Sequence, residues 1–361
     1  MKVAILGAGA GGASAAVELQ RAGHAVSLWN RSASALAGYI AARGIHYVGV
    51  FGEGYAPLEV ITTDLAVVAR DADVLLVCVP TLAHGELARA IIKARIRRIP
   101  TVLNPGHTGG ALEFAHVFAS CGALPPPIAE FSTLTYVARN AGPDGVNITG
   151  SAKQVRVAAM PGGATAFDIA RALYDCARPA DNVLVTSLSN VNMVLHPPGA
   201  ILGASWIEAM AGEFTFYVEG LTDGVGRVME RLDAERRAVA QGFGFELPTL
   251  FEEMQAIGTI EADVTAHVGL AAAIRGGEAN RRIKAPNAFS HRYFQEDLWY
   301  GLQPFQVLAN IAGVEVPIAR SLLQLAQAAV GPAAPSAGRT AAKMGIDGLD
   351  RVGLLQFVAG D

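Results

Sequence analysis

Cysteine is scarce: Cys78, Cys121 and Cys176 are scattered through 361 residues, with no C-x-x-C pair. An odd, widely spaced set excludes a disulfide framework and offers no zinc spacing, so no metal is expected and a reducing, cytoplasmic setting is. Charge is thin as well, at 17%, with a net charge of -4. A basic footprint for nucleic acid is therefore absent. Low charge with 52% hydrophobic residues also excludes disorder. No apolar run reaches the ~18 residues that span a bilayer, so no membrane contact is expected. A basic and apolar leader is missing too, because a strand pattern begins directly after Lys2. These absences leave a cytoplasmic enzyme of small molecules, with a homodimer as an open expectation.

What is present is enough apolar residue for two cores. Short apolar runs at residues 3–6, 25–29, 74–79 and 101–103 predict buried parallel strands. Helical stretches at 12–22, 33–43 and 82–96 alternate with them. Strands at 128–133 and 155–159 and a helix at 167–176 would complete the layer. Such alternation predicts an α/β, doubly wound amino-terminal Rossmann domain over residues 1–183. From 184 to 361 apolar-periodic segments dominate, at 183–195, 213–241, 251–257, 299–312 and 318–329. They predict an all-helical carboxy-terminal domain. Residues 331–338, rich in Gly, Pro and Ala, read as a loop before a short tail.

Gly7, Gly9 and Gly12 match G-x-G-x-x-G. In a chain with 40 glycines the pattern alone is weak, but here it follows a strand and opens a helix. Gly7 suits the tight turn, Gly9 a close backbone approach to a pyrophosphate, and Gly12 helix–strand packing. The free N–H groups at the helix start favour the anion. At the end of the second strand, an Asp or Glu would accept from the ribose of NAD. Asn30, Arg31 and Ser32 stand there instead. Arg31 can pair with a 2′-phosphate and Ser32 can donate to it, so NADP(H) is favoured with NAD(H) admissible. The plainer reading of Arg31 is a solvated first-turn residue. Two further loops, with Pro80 and with Asn104, Pro105 and Gly106, fall where strand ends should face the cofactor. His107 in the second loop reads as a loop residue without an evident partner.

In the second half, Ser189, Asn192 and His196 fall on one face of a predicted helix. Pro197 is expected to end that helix at His196, leaving the imidazole against a negative dipole end that favours its protonated form. A buried, satisfied core histidine is the plainer reading. Segment 291–297 supplies a base, a cation and two carboxylates. Asp297 there can hold the other imidazole nitrogen of His196, and Arg292 can clamp a substrate carboxylate. Asn192 is a candidate substrate contact. Glu219, Asp233, Glu235 and Arg236 read mostly as solvated faces or interhelix pairs.

These stretches resemble the opine dehydrogenases of the octopine/nopaline group. The resemblance is carried by residues 7–12, by Asn104-Pro105-Gly106-His107-Thr108-Gly109-Gly110 through Phe114, and by 186–192 through His196-Pro197. Residues 216–220, 233–236 and 292–297 carry it further, as does the tail at Gly338-Arg339-Thr340 with Lys343 and Gly345. It implies reductive condensation of a 2-oxo acid with an amino acid, through an imine that hydride reduces. It also implies a catalytic histidine–aspartate pair, matching His196 and Asp297. Glu130-Phe131-Ser132-Thr133 departs from the group's Glu-Thr-Ser pattern, which puts the nicotinamide-side contacts in question. Two rival readings stand beside it: a simple 2-oxo acid reductase of ketopantoate-reductase type, and a non-catalytic NADP-binding sensor.

Overall fold

The computed structural model describes residues 1–331 and 338–360, so most of the expected 331–338 loop lies outside the described residues. The chain divides into two compact units. The first comprises Met1–Gly106 and Gly110–Val183 with Gly360; the second comprises Leu184–Ala359 together with His107–Gly109. Among the described residues no helix is long and apolar enough to cross a membrane.

The first unit holds twelve strands in two sheets. In chain order they are β1 (Lys2–Leu6), β2 (Ala25–Trp29), β3 (Gly44–Gly49), β4 (Gly54–Pro57), β5 (Val60–Thr62) and β6 (Val74–Val77). Then come β7 (Thr101–Leu103), β8 (Ile128–Phe131), β9 (Tyr136–Asn140), β10 (Gly145–Ser151), β11 (Val155–Ala159) and β12 (Ala177–Pro179). The large sheet runs β12-β11-β8-β7-β6-β1-β2-β5. Its central strands are parallel and covered on both faces, which is why β6 and β8 are buried at every position and apolar almost throughout. Leu6, Trp29, Val77 and Leu103 are in register, so the loops after β1, β2, β6 and β7 leave one edge.

The four-stranded sheet β4-β3-β10-β9 is absent from the sequence reading. Its strands carry Gly, Tyr, His and Asn and leave Val48 and Tyr55 exposed, so no continuous apolar run marks them. They are held by packing of Ile45, Tyr47, Ala56, Val146 and Ile148 into the shared core. The helix Gly110–Ser120 was likewise unforeseen, because its start lies in a glycine-rich stretch that reads as loop. Glu130, fully buried, accepts the Ala111 N–H at 2.8 Å and so supplies the missing cap from β8. The departure at 130–133 thus leaves Glu130 a helix-capping residue.

The second unit is helical, and two expectations need correction. A single helix over 183–195 is replaced by Val183–Leu188 and Asn192–Leu202, with Ser189 in the break. Pro197 and Pro198 lie inside the second helix rather than ending it. Met193 through Ile201 are all buried, and that packing outweighs the two lost backbone bonds. The long helix begins at Asp223, not 213, because the Thr222 hydroxyl caps it through the Val225 N–H.

Asp233, Glu235 and Arg236 are buried rather than solvated. Arg236 donates to Asp233 Oδ1 through Nε at 2.8 Å, to the Leu188 carbonyl at 3.2 Å and to the Pro248 carbonyl at 2.6 Å. Glu235 caps the helix Pro317–Val330 by accepting from Ile318 and Ala319. Arg236 therefore closes the end of the helix that precedes the His196 helix. Arg237 and the Leu250 N–H still hold Asp233 Oδ2, but loss of Arg236 strips Asp233 Oδ1 and the Leu188 and Pro248 carbonyls of their buried donor, and breaking a buried pair costs about 3–5 kcal/mol. Arg236→Ala is expected to lower unfolding stability by about that amount in urea titration. A change below about 1 kcal/mol would show the pair to be solvated after all.

Candidate active site

The strand edge of the first unit is shaped for an anion. Gly7 has φ +125, and a Cβ there would stand 2.6 Å from the Cys78 carbonyl. At Gly12 a Cβ would overlap the Gly7 carbonyl, so the helix Ala10–Arg21 meets the turn at a distance only glycine permits. A Cβ on Gly9 would meet nothing within 4 Å, which marks the open side of the turn. Gly9 caps that helix without any side-chain hydrogen bond. Its first N–H groups thus keep their positive potential for a ligand. This cradle fits a dinucleotide pyrophosphate.

The neighbouring residues divide by role. Arg31 is exposed and pairs with Glu86 at 2.9 Å, also exposed. Asn30 accepts the Ser32 N–H, and Ser32 caps the helix Ala33–Ala42 through the Ala35 N–H. Pro80 is exposed beyond β6. Asn104 is fully buried and spends both ends of its amide on Thr135. Pro105 is buried behind it. Gly106 donates to the Phe131 carbonyl, and a Cβ there would lie 2.0 Å from Glu130 Oε2. What Asn104 and Gly106 offer a ligand is backbone position, since their polar groups are engaged inside the unit.

In the second unit the fold brings together residues that sequence only paired by chemistry. His196 lies in the helix Asn192–Leu202, and Asp297 begins a π-helical turn, Leu298–Leu302. The i+5 bonds of that turn, from Asp297 to Arg292 and from Leu302 to Asp297, widen the helix there. The result places His196 Nδ1 2.7 Å from Asp297 Oδ2, both side chains buried. Burial pushes the Asp297 carboxyl up, while the nearby Arg292 cation opposes that shift. The helix continues past His196, which removes the terminal dipole expected to protonate it.

Three residues at this site were missed or undervalued. The Tyr217 hydroxyl lies 2.7 Å from His196 Nε2, and the Tyr293 ring stacks on the imidazole at 3.8 Å and 18°. His107, read as a partnerless loop residue, is buried with its Nδ1 3.8 Å from Glu296 Oε1. Its Nε2 lies 3.5 Å from the Asn192 amide. His107 adopts the left-handed φ of 60 that non-glycine residues rarely take. Its followers hold it there: Gly109 N–H donates to Ser187 Oγ, and Arg339 donates to the Thr108 carbonyl at 2.7 Å. Glu296 also accepts from Arg292 Nε at 3.2 Å, leaving the Arg292 side chain 47% exposed. Tyr217 and Tyr293 carry no periodic signal; only their place in the stretches of family resemblance marked them.

A chain with a dinucleotide cradle in one unit and a buried histidine–carboxylate pair in its helical unit has the parts of a nicotinamide-dependent oxidoreductase. Residues 179–330 match the family described as NAD/NADP octopine/nopaline dehydrogenase, alpha-helical domain, and residues 3–104 match ketopantoate reductase PanE/ApbA. An opine dehydrogenase from Arthrobacter sp. (strain 1C) is 31% identical over 98% of both chains. Among solved structures, octopine dehydrogenase with NADH and L-arginine superposes with a TM-score of 0.74 at 19% identity, over 100% of this chain and 98% of that one. Yersinopine dehydrogenase bound to NADP+ gives 0.71 at 16% identity, with the same coverage. At such identities these structures speak for the fold. The chain belongs to the opine dehydrogenase family, NAD(P)H-dependent oxidoreductases acting on CH–NH donors.

Burial lowers the His107 pKa to about 4, against the pull of Glu296 and Asp297, so His107 is neutral at pH 7. An unfolded histidine titrates near 6.5, and the unfolded state therefore binds more protons between those values. His107 accordingly takes away stability as pH falls from about 6.5 towards 4. His107→Gln is expected to flatten that acid-side decline in urea titrations at pH 7 and 5, relative to the parent. An unchanged slope would contradict the buried neutral imidazole.

Proposed function

We propose that this chain favours NADP(H) and condenses a 2-oxo acid such as pyruvate with an amino acid, giving an N-(carboxyalkyl) amino acid. The reverse oxidation would use the same groups. The observation that carries the reading is His196 held at 2.7 Å by a buried carboxylate, Asp297. A nicotinamide supplies hydride to the imine carbon. The protein's part is positioning and proton movement.

Arg292 fits a carboxylate clamp because, among the described residues, its ion pair to Glu296 is made through Nε, and its side chain reaches solvent. A guanidinium held by a buried carboxylate stays cationic and fixed in direction. Asn192 opens the His196 helix one turn before the imidazole, and its amide faces His107. A substrate held by its carboxylate on Arg292 would have its carbonyl oxygen protonated at the expense of His196. Asp297 keeps that proton available by stabilising the imidazolium. Three free thiols support action in a reducing compartment such as the cytoplasm.

For cofactor choice, the absence of Asp or Glu at 30–32 supports the phosphorylated form. The Arg31–Glu86 pair is exposed, so it holds Arg31 weakly and can yield to a 2′-phosphate. Octopine dehydrogenase has been solved with NADH, and yersinopine dehydrogenase with NADP+, so the family fold accepts both. A charge-assisted bond of about 1.5–3 kcal/mol corresponds to roughly a 10- to 100-fold change in affinity. Arg31→Ala is expected to weaken NADPH binding by about that factor and NADH binding little; equal loss for both cofactors in fluorescence titration would refute the assignment.

His196→Ala should lower turnover about a hundredfold or more while NADPH still binds. The assay is NADPH consumption over a grid of oxo acids and amino acids, with products weighed by mass spectrometry. Unchanged turnover would sink the role of His196. Oxidation with an oxo acid alone would favour the ketopantoate-reductase-type reading, and binding without turnover on any pair a sensor.

A further inference from the structure

Both ring nitrogens of His196 are engaged within the helical unit. Nδ1 faces Asp297, and Nε2 lies 2.7 Å from the Tyr217 hydroxyl. The ring face is covered by Tyr293. An acid–base histidine held by a carboxylate on one nitrogen works through the other. Here a phenol stands on that second nitrogen, so it must either leave or carry the proton.

Local packing opposes its leaving. Tyr217 is 4% exposed, and its ring meets Phe216 edge-on at 5.1 Å and 85°. The preceding backbone is tied down: Phe216 N–H donates to the Ile283 carbonyl at 2.9 Å, and Ala285 N–H to the Phe214 carbonyl at 2.9 Å. Glu219 accepts from both the N–H and the hydroxyl of Thr215, at 2.6 and 2.7 Å. Phe216 in turn fills the space that a side chain on Gly199 would need, with a Cβ there 2.8 Å from its ring.

We propose that Tyr217 is a catalytic residue, the terminal acid–base group that touches the reacting oxygen, with His196 replenishing its proton. This rests on the opine dehydrogenase reading above. In the forward direction the carbinolamine C–O bond breaks as the nitrogen lone pair forms the C=N bond. The departing oxygen takes the Tyr217 proton and leaves as water. The Nε2 proton of the His196 imidazolium passes to the phenolate oxygen, and His196 ends neutral with its Nδ1 proton on the Asp297 hydrogen bond. One proton is consumed and no electron is exchanged; hydride then reduces the imine. A free phenol titrates near 10, so coupled transfer from His196 avoids building up a phenolate at neutral pH.

The test compares Tyr217→Phe, Tyr217→Gln, His196→Ala and the double variant Tyr217→Phe/His196→Ala in amino-acid-dependent NADPH oxidation from about pH 6 to 9. Each variant's NADPH affinity and thermal melt are recorded, and variants retaining both decide the outcome. Both Tyr217 substitutions are expected to lower kcat about a hundredfold, with the oxo-acid KM within about threefold. They should also lose the high-pH decline that the parent owes to its imidazolium. The Gln variant can still hydrogen-bond Nε2 but has no proton to relay, so it should not rescue. The double variant should be no slower than either single one. Rescue by Gln, or a high-pH decline preserved in Tyr217→Phe, would reduce Tyr217 to a positioning residue and overturn the proposal. A parent protein inert on every substrate pair would instead overturn the functional reading, leaving the relay no reaction to serve.

Discussion

The hydrogen bond between His196 and Asp297 constrains much of the helical unit around it. It joins segments separated by 101 positions, and it does so in a buried setting. A carboxylate without its partner would be costly there, so the two segments must arrive together. The chain meets that demand in two unusual ways. One helix continues through Pro197 and Pro198, and another widens into a π-turn at Leu298–Leu302. Both departures from regular geometry lie beside this buried pair, where extra local cost is tolerated because packing over-determines the arrangement.

A second layer of charge supports the first. Glu296 lies next to Asp297 in sequence and serves different partners, Arg292 and His107. Arg292 is therefore fixed by a carboxylate that is not the one engaged by His196. The two adjacent carboxylates therefore serve different partners, Asp297 the imidazole of His196 and Glu296 the guanidinium of Arg292. His107 carries the Glu296 contact to Asn192, joining two of the candidate substrate residues. The whole cluster uses side chains from the 107–109 loop, the His196 helix and the 292–297 segment, all within one compact unit.

Legibility varied with how local the signal was. The central strands of the parallel sheet and the glycine turn were readable because a buried strand is apolar and a pyrophosphate turn needs glycine at fixed offsets. The small sheet was not, since β3, β4, β9 and β10 mix polar and aromatic residues and are stabilised only by pairing with distant strands. Pro197 misled for a similar reason: proline disfavours a helix interior locally, and the opposing term, burial of Met193 through Ile201, is tertiary. Arg236 read as part of a solvated face or an interhelix pair, because charge is normally exposed; its burial rests on the Leu188 and Pro248 carbonyls, which no charge pattern reveals.

By itself the sequence determined the α/β alternation, the dinucleotide turn, the lack of an acidic residue at 30–32, and a short set of acid–base candidates that included His196 and Asp297. Those follow from periodicity, backbone sterics and residue chemistry within a few positions of one another. Only the tertiary structure decided which candidates meet. It placed Tyr217 on the second nitrogen of His196, Tyr293 on its face, and His107 against Glu296. Such contacts arise from long-range packing of buried groups, whose energies depend on neighbours that the chain supplies from far away.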